Sequence, residues 1–273
     1  MPPACLLLAA LLASGGACTA GRARAPVASE SHAPSPGADS ARISAARLAA
    51  LERLASDWPN LGKYAAANRA LGDPLPGEDR VVFIGNSIIE SWGPHFATLF
   101  PGRPYINRGI SGQTTPQILL RLRQDVIALR PKVVLILAGT NDIAGNTGPA
   151  TLEMIQHNLA SMAELARANG IRVVLASVLP AREYRWRPDV RPATAIVALN
   201  DWMRAYARRN GIVYLDFHAA MADEQLGLRR ELSGDGVHPN ETGYRIMAPL
   251  ATRAIDEALR LPLTGPGSNK PIP

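Results

Sequence analysis

Four short polar segments hold the residues of this sequence that could do chemistry. They are Gly85-Asn86-Ser87, residues 107–114, Gly139-Thr140-Asn141-Asp142 and Asp235-Gly236-Val237-His238. A serine hydroxyl such as that of Ser87 is a poor nucleophile unless a neighbouring base takes its proton. His238 could be that base, and Asp235, three residues earlier, could orient the imidazole and stabilise its charged form.

The pattern of apolar residues around these segments alternates between strand and helix. Strands are predicted at 81–84, 104–107, 133–137, 172–176 and 212–215, and helices at 43–54, 115–129, 150–169, 193–209 and 241–260. Several strands are almost entirely apolar, which is typical of strands buried on both faces of a parallel sheet. We therefore expect a three-layer α/β/α domain with a flavodoxin-like, five-stranded parallel sheet.

The polar segments have a common place in this predicted fold. Three of them follow or end strands one, two and three, and the fourth comes just before the last helix. In such sheets ligands bind beyond the carboxyl ends of the strands. The sequence therefore predicts that the four segments meet at one edge of the sheet.

These four blocks, in this order and spacing, resemble the SGNH hydrolases, also called GDSL esterases/lipases. The likeness spans about residues 80–250. It implies that Ser87 is the nucleophile of a triad completed by His238 and Asp235. It also implies an oxyanion hole formed by the main-chain N–H groups of Ser87 and Gly112 and the side-chain amide of Asn141.

One residue departs from the family pattern. Asn86 stands where these hydrolases usually have Asp, so the charge beside the nucleophile is lost. The usual Asp is not the triad acid, and the triad is therefore complete. The substitution bears on local geometry and pH optimum.

Each candidate residue also has a simpler interpretation. Ser87 could be only a helix N-cap, and Asn141 only a turn former. Gly109 is expected to be an ordinary turn glycine, and Asp142 a structural hydrogen-bond partner. His218, after strand five, is the competitor of His238 for the role of base.

Two segments could contact substrate. Residues 182–192 follow strand four and contain four Arg, one Tyr and one Trp. Aromatic rings stack on sugars or lipid and Arg pairs with carboxylate or phosphate, so Tyr184, Arg185 and Trp186 are candidate substrate contacts. The alternative is a solvated rim held by Arg pairs with Glu183 and Asp189. Trp92, close after the nucleophile, could limit the length of the acyl chain.

These features favour a serine carboxylic-ester hydrolase that acts through an acyl-enzyme. Lipases that act on aggregated lipid tend to need an apolar interfacial surface, and no such lid or helix is evident beside the predicted site. A short acyl group, plausibly acetyl on a carbohydrate, is therefore expected. The alternatives are a lysophospholipase- or arylesterase-type lipid esterase, a glycan O-acyltransferase, and a catalytically inactive glycan-binding module.

The composition limits the remaining classes. The 273 residues are 47% hydrophobic and 19% charged, which excludes a disordered, a collagen-like and a multi-span membrane protein. The net charge of +6 is scattered along the chain, so nucleic-acid binding is not expected. Neither a metal-binding motif nor a dinucleotide fingerprint is present, and we expect no cofactor and no metal site.

The N-terminus predicts export. A short apolar run, Leu6–Leu12, indicates a signal peptide over 1–17, and Cys18 resembles the lipidated first residue of a bacterial lipoprotein. A disordered tether is expected over 18–39, the hydrolase domain over 40–262 and a disordered tail over 263–273. A periplasmic or membrane-anchored lipoprotein is expected, with the membrane contacted only through that lipid. The alternative is a secreted protein cleaved after Ala23-Arg24-Ala25.

Overall fold

Five parallel strands form one sheet in the computed structural model, which describes residues 45–263. The strands are β1 Val81–Gly85, β2 Tyr105–Gly109, β3 Val133–Leu137, β4 Arg172–Ala176 and β5 Val213–Leu215, in the order β2-β1-β3-β4-β5. This is the flavodoxin-like order, and the predicted fold class is confirmed. The predicted signal peptide, Cys18, the tether 18–39 and residues 264–273 of the tail lie outside the described residues.

Helices connect the strands. They are α1 Ala45–Ser56, α2 Ala65–Leu71, α3 Ser87–Trp92, α4 Phe96–Leu99, α5 Thr115–Asp125, α6 Thr140–Ile143, α7 Leu152–Ala168, α8 Ala193–Asn210, α9 Phe217–Met221 and α10 Glu241–Arg260. The sequence pattern over 115–129 predicts one helix, but α5 ends at Asp125 and a separate 3-10 turn covers Ile127–Leu129. Within residues 45–263, none of the helices is long and apolar enough to cross a bilayer.

The sheet separates two hydrophobic cores. Because successive side chains of a strand point to opposite faces, Val82 and Ile84 of β1 pack with α5, α7 and α8. Val81 and Phe83 of the same strand pack on the other face with α3 and α10. Every residue of β1 and β3 is buried, which explains why these strands are apolar throughout.

A buried arginine ties α5 to the strand ends. The side chain of Arg121 is fully buried and pairs with Asp125 at 3.1 Å. Its guanidinium also donates to the carbonyl oxygen of Gly85 at 2.9 Å and to the side-chain oxygen of Gln113 at 2.6 Å. These charge-assisted bonds join the end of β1, the segment after β2 and α5.

Helix α3 passes very close to the ends of β1 and β2. A Cβ atom on Gly85 would lie 2.7 Å from the Ile89 side chain of α3 and 2.3 Å from the carbonyl oxygen of Leu137 in β3, and one on Gly109 would lie 2.1 Å from the backbone nitrogen of Glu90. Gly109 is the last residue of β2, so its interpretation as an ordinary turn glycine is wrong. Glycine is needed there because the backbone of α3 occupies the space of a side chain.

We predict that Gly109→Ala destabilises the protein. Inserting a methyl group into a closely packed site typically costs about 1–3 kcal/mol of unfolding free energy, and here the obstacle is backbone that cannot swing aside. Urea unfolding should show the loss. Gly62→Ala is the matched control, since a Cβ there would make only an ordinary contact of 3.5 Å with Asp57. Equal stability of the two variants would contradict the close approach of α3.

Candidate active site

The candidate nucleophile lies at the first position of α3, directly after β1. Asn86 is the N-cap, because its side-chain oxygen accepts from the main-chain N–H of Ile88 at 3.0 Å. The interpretation of Ser87 as the cap is therefore wrong, and its half-buried hydroxyl is left for other contacts. Asn86 is fully buried, and its amide nitrogen has no hydrogen-bond partner among the described residues.

Ser87, His238 and Asp235 form an unbroken hydrogen-bonded line. The Ser87 hydroxyl lies 2.9 Å from Nε2 of His238, although 151 positions separate the two residues in the sequence. Nδ1 of the same imidazole lies 2.6 Å from Oδ2 of Asp235. One ring nitrogen is thus occupied by a carboxylate and the other faces a hydroxyl, which is the arrangement that activates a serine.

The loop before α10 holds Asp235 as a carboxylate. Burial alone would raise its pKa, but hydrogen bonds from the His238 side chain and from the main-chain N–H groups of Val237 and His238 hold the pKa well below its usual range. The hydroxyl of Ser233 lies 3.1 Å from the same carboxylate and 2.8 Å from the carbonyl oxygen of His238. Ser233 therefore braces the loop, a role that no sequence pattern indicated.

His218 does not join this line. It lies on α9, where burial lowers the pKa of its imidazole. Its Nε2 is buried without a hydrogen-bond partner in the described part of the chain. The structure therefore places His238, and not its competitor, against Ser87.

Gly112 and Asn141 lie on neighbouring segments at the same edge. Gly112 is exposed in the turn after β2 with a φ of 78°, a conformation that favours glycine. The buried side chain of Asn141, on α6, donates from Nδ2 to the carbonyl oxygen of Gln113 at 2.9 Å. Each amide nitrogen carries two hydrogens, so this bond leaves one donor of Asn141 for a further acceptor.

Asp142 is a structural partner, as the sequence predicted. Its carboxylate is buried and accepts from the main-chain N–H of Thr115 at 2.9 Å and from the Thr115 hydroxyl at 2.6 Å. Burial raises the pKa of Asp142, although the bonds from Thr115 oppose that shift. The residue joins α6 to the start of α5.

Glu90 connects α3 to the segment that carries Gly112. Its carboxylate accepts from the main-chain N–H of Ser111 at 2.6 Å and forms an ion pair with Lys63. Burial would raise the pKa of Glu90, but hydrogen bonds from Lys63 and Ser111 keep it below its ordinary value. The sequence offered no signal for this contact beyond an acidic residue in a short helix.

The segment after β4 borders the site through Trp186. Its indole is 42% exposed, and its ring centre lies 6.4 Å from that of His238. Tyr184 stacks beneath it at 4.9 Å, fully buried, with its hydroxyl 2.8 Å from that of Thr140. Tyr184 therefore supports Trp186 and does not face the substrate, contrary to expectation.

Two arginines of the segment 182–192 form ion pairs at the surface beside the site. Arg187 pairs with Asp189 at 3.0 Å, as the rim interpretation predicted, while Arg182 pairs with Asp223 and not with Glu183. Arg185 is exposed and donates to the carbonyl oxygen of Gly234 at 3.4 Å, next to the Asp235 loop.

Trp92 does not limit an acyl chain, and that expectation is wrong. Its side chain is fully buried and packs against aromatic residues of the core: Phe83, Phe96, Phe100, Phe217 and Tyr244. Helix α3 packs this face against the sheet, so the Trp92 side chain lies within the core and is not exposed to a ligand.

An open cavity of about 730 Å³ lies beside Gly112. Trp58 and Trp186 both line it, and we call it the two-tryptophan cavity. Its volume is within the range of small-molecule sites. Sequence reasoning missed Trp58, which follows α1 and lies outside the four polar segments. Within residues 45–263 there is no group of three His, Asp or Glu side chains that could hold a metal ion.

The chain is similar to known proteins in both sequence and fold. The model of the GDSL-like lipase/acylhydrolase family matches residues 83–246. The crystal structure of a GDSL-like lipase from Bacteroides thetaiotaomicron is 46% identical, with a TM-score of 0.72, and the match covers 74% of this chain and 100% of that chain.

Two curated relatives are similar over part of their length. An acetylxylan esterase of Xylanibacter ruminicola is 27% identical over 67% of this chain and 44% of its own. Esterase TesA of Pseudomonas aeruginosa is 32% identical over 49% of this chain and 60% of its own. The matched region thus spans about half of each curated relative. The family model and the similarity to the Bacteroides lipase over its whole length show that the chain belongs to the GDSL-like lipase/acylhydrolase family, as its resemblance to the SGNH hydrolases implied.

Proposed function

We propose that this protein hydrolyses short-chain acyl esters through an acyl-enzyme on Ser87. The observation that carries the proposal is the line of hydrogen bonds from Asp235 through His238 to Ser87. Membership of an acylhydrolase family supports the reaction class. Among the curated relatives, the name of one concerns an acetyl ester, which supports a short acyl group.

The first half of the reaction transfers the acyl group to the enzyme. The Ser87 oxygen attacks the carbonyl carbon of the ester while its proton passes to Nε2 of His238. The carbonyl oxygen gains the electron pair and becomes an oxyanion, which the N–H donors of Ser87, Gly112 and Asn141 stabilise. The C–O bond to the alcohol then breaks, and His238 returns the proton to the departing oxygen.

The second half releases the acid. Water takes the place of the alcohol, and His238 removes its proton as the water oxygen attacks the acyl carbon. The bond to Ser87 breaks and the proton returns to the serine oxygen. Throughout, the ionised Asp235 stabilises the positive charge that forms on the imidazole.

The surroundings of the site favour a small ester over a long-chain lipid. The neighbouring two-tryptophan cavity is lined in part by polar side chains, including Asp57, Asn60 and Asn146. A long alkyl chain needs a continuous apolar surface, and these groups would be desolvated against it at a cost.

We predict that p-nitrophenyl esters are hydrolysed fastest at acetate or butyrate, and much more slowly at palmitate. Ser87→Ala should abolish turnover because no nucleophile remains. Asn141→Ala should reduce kcat by about 10²–10³, the usual effect of losing one oxyanion donor. The measurement is initial rate against chain length. A maximum at palmitate would contradict the short-chain proposal, and full activity of Asn141→Ala would contradict the oxyanion assignment.

We predict that Asp235→Asn lowers kcat on the order of 10⁴, the effect of the same change in serine-protease triads. The amide would hydrogen-bond the wrong tautomer of His238 and could not stabilise its charge. The check is p-nitrophenyl acetate hydrolysis at neutral pH, with Asp189→Asn on the exposed rim as the matched control. A loss of less than tenfold would show that Asp235 does not orient the base.

The same variant should reveal a pH-dependent stability. A carboxyl group whose pKa is lowered on folding stabilises the protein fully above its unfolded pKa of about 4, and the effect is lost as the pH falls through the folded value. Wild type should therefore exceed Asp235→Asn in unfolding free energy at pH 6, and the difference should shrink toward pH 2. A difference that grows toward low pH would contradict the depressed pKa of Asp235.

A further inference from the structure

We infer that the two-tryptophan cavity binds a sugar ring, the one that carries the ester as its alcohol part. The inference rests on the proposed function, because it assigns the leaving alcohol of that reaction to a specific place. It names Trp58 and Trp186 as the residues that determine specificity. Trp58 comes from a part of the chain outside the segments that make the catalytic line.

The position of Trp186 identifies which half of the ester it would touch. In the proposed reaction, His238 gives its proton to the departing alcohol oxygen, so that oxygen must lie beside Nε2. The indole of Trp186 lies next to the same imidazole, with 6.4 Å between ring centres and 32° between ring planes. A group attached to the departing oxygen on this side would therefore meet Trp186 and the cavity that it lines.

Trp58 is fixed in place by α5 and by the segment that carries Gly112. The side-chain amide of Gln117 donates to the carbonyl oxygen of Trp58 at 2.8 Å, and that of Gln113 donates to the carbonyl oxygen of Pro59 at 2.7 Å. The indole itself is 37% exposed. The main chain is therefore held while the aromatic face stays available, so little ordering is needed when a ligand binds.

Trp186 is held in a comparable way. Its indole N–H donates to the side-chain oxygen of Asn146 at 3.1 Å, and the amide of Asn146 donates to the carbonyl oxygen of Gly112 at 3.3 Å. Tyr184 supports its inner face. Trp186 is thus linked through Asn146 to the segment that holds the proposed oxyanion donor, and Trp58 is linked to that segment through Pro59.

The chemistry of the cavity fits a neutral saccharide. Indole faces bind flat, apolar surfaces, and the C–H face of a pyranose is one. The side chain of Asn60 also lines the cavity and makes no hydrogen bond to any described residue, which leaves it for a hydroxyl. The charged groups on the lining are Asp57 and Arg187, and Arg187 is already paired with Asp189. An anionic ligand is therefore disfavoured.

The test compares the alcohol parts of acetate esters. Substrates are the monoacetates of methyl xyloside and methyl glucoside, with ethyl acetate as a reference that has no ring and phenyl acetate as a flat ring without hydroxyls. In Trp58→Ala, the ratio of kcat/KM for the sugar acetates to that for ethyl acetate should fall about tenfold, the size of one good aromatic contact. Trp58→Phe should recover most of the ratio, and Trp186→Ala should lower it.

Two results would overturn the inference. One is an unchanged ratio in Trp58→Ala. The other is an equal loss on phenyl acetate, which would mean that the cavity accepts any flat ring. Leu75→Ala is the control, because Leu75 is 72% exposed and does not line the cavity, and its ratio should stay at the wild-type value.

A binding measurement separates this inference from the proposed function. Calorimetric titration of full-length Ser87→Ala with methyl xyloside and methyl glucoside does not require turnover. We expect Ser87→Ala to bind at least one glycoside. Adding Trp58→Ala to Ser87→Ala should give about tenfold weaker binding than adding Trp58→Phe. No binding of either would overturn the cavity assignment even if Ser87 is an active nucleophile. Binding without any ester hydrolysis in wild type would instead overturn the proposed function alone.

Discussion

The arrangement of the site depends on how closely α3 crosses the ends of β1 and β2. The backbone of Glu90 lies where a side chain on Gly109 would be, and a Cβ on Gly85 would lie 2.7 Å from the side chain of Ile89 in α3. Two glycines therefore let the helix begin at once after β1. Ser87 is its first residue, and its hydroxyl reaches His238 only because the helix starts there. A bulkier residue at either strand end would move the nucleophile.

The segment after β2 is held by polar contacts from three helices. Glu90 binds Ser111 from α3, Arg121 binds Gln113 from α5, and Asn141 binds the carbonyl oxygen of Gln113 from α6. Buried charges and amides are costly unless each has its partners. Here Glu90, Arg121 and Asn141 each bind a group of the same turn. These hydrogen bonds therefore also fix the position of Gly112 in that turn. In the proposed mechanism, a donor held in this way costs no reorganisation during the reaction.

The parts of this structure that have a strong sequence signal were predictable. The five strands, the long helices and the fold class follow from apolar periodicity, because β1 and β3 are buried on both faces and the long helices repeat their apolar positions over several turns. The joining of Ser87, His238 and Asp235 followed from four blocks, three at strand ends and one just before the last helix. Their joint position carries information that each block alone does not.

The sequence could not predict features that depend on the rotation of a helix or on the packing of individual side chains. Trp92 and Tyr184 are aromatic residues near the site in sequence, yet a turn of α3 directs the first into the core and the hydroxyl of Thr140 holds the second inside. Gly109 looked like a turn glycine because nothing local records the approach of α3. Trp58 is held beside the cavity by hydrogen bonds from Gln113 and Gln117 to the carbonyl oxygens of Pro59 and Trp58. Such contacts between distant parts of the chain leave no periodic pattern in the sequence.

In the proposed mechanism, His238, held by Asp235, makes Ser87 the reactive nucleophile among the serines of this chain. Incubation with a fluorophosphonate ester, which phosphonylates activated serine hydroxyls, followed by peptide mass spectrometry, tests it most directly. We expect one adduct, on Ser87, that forms rapidly in wild type and at a small fraction of that rate in His238→Ala. An adduct on another serine, or equal labelling of Ser87 in both proteins, would contradict it.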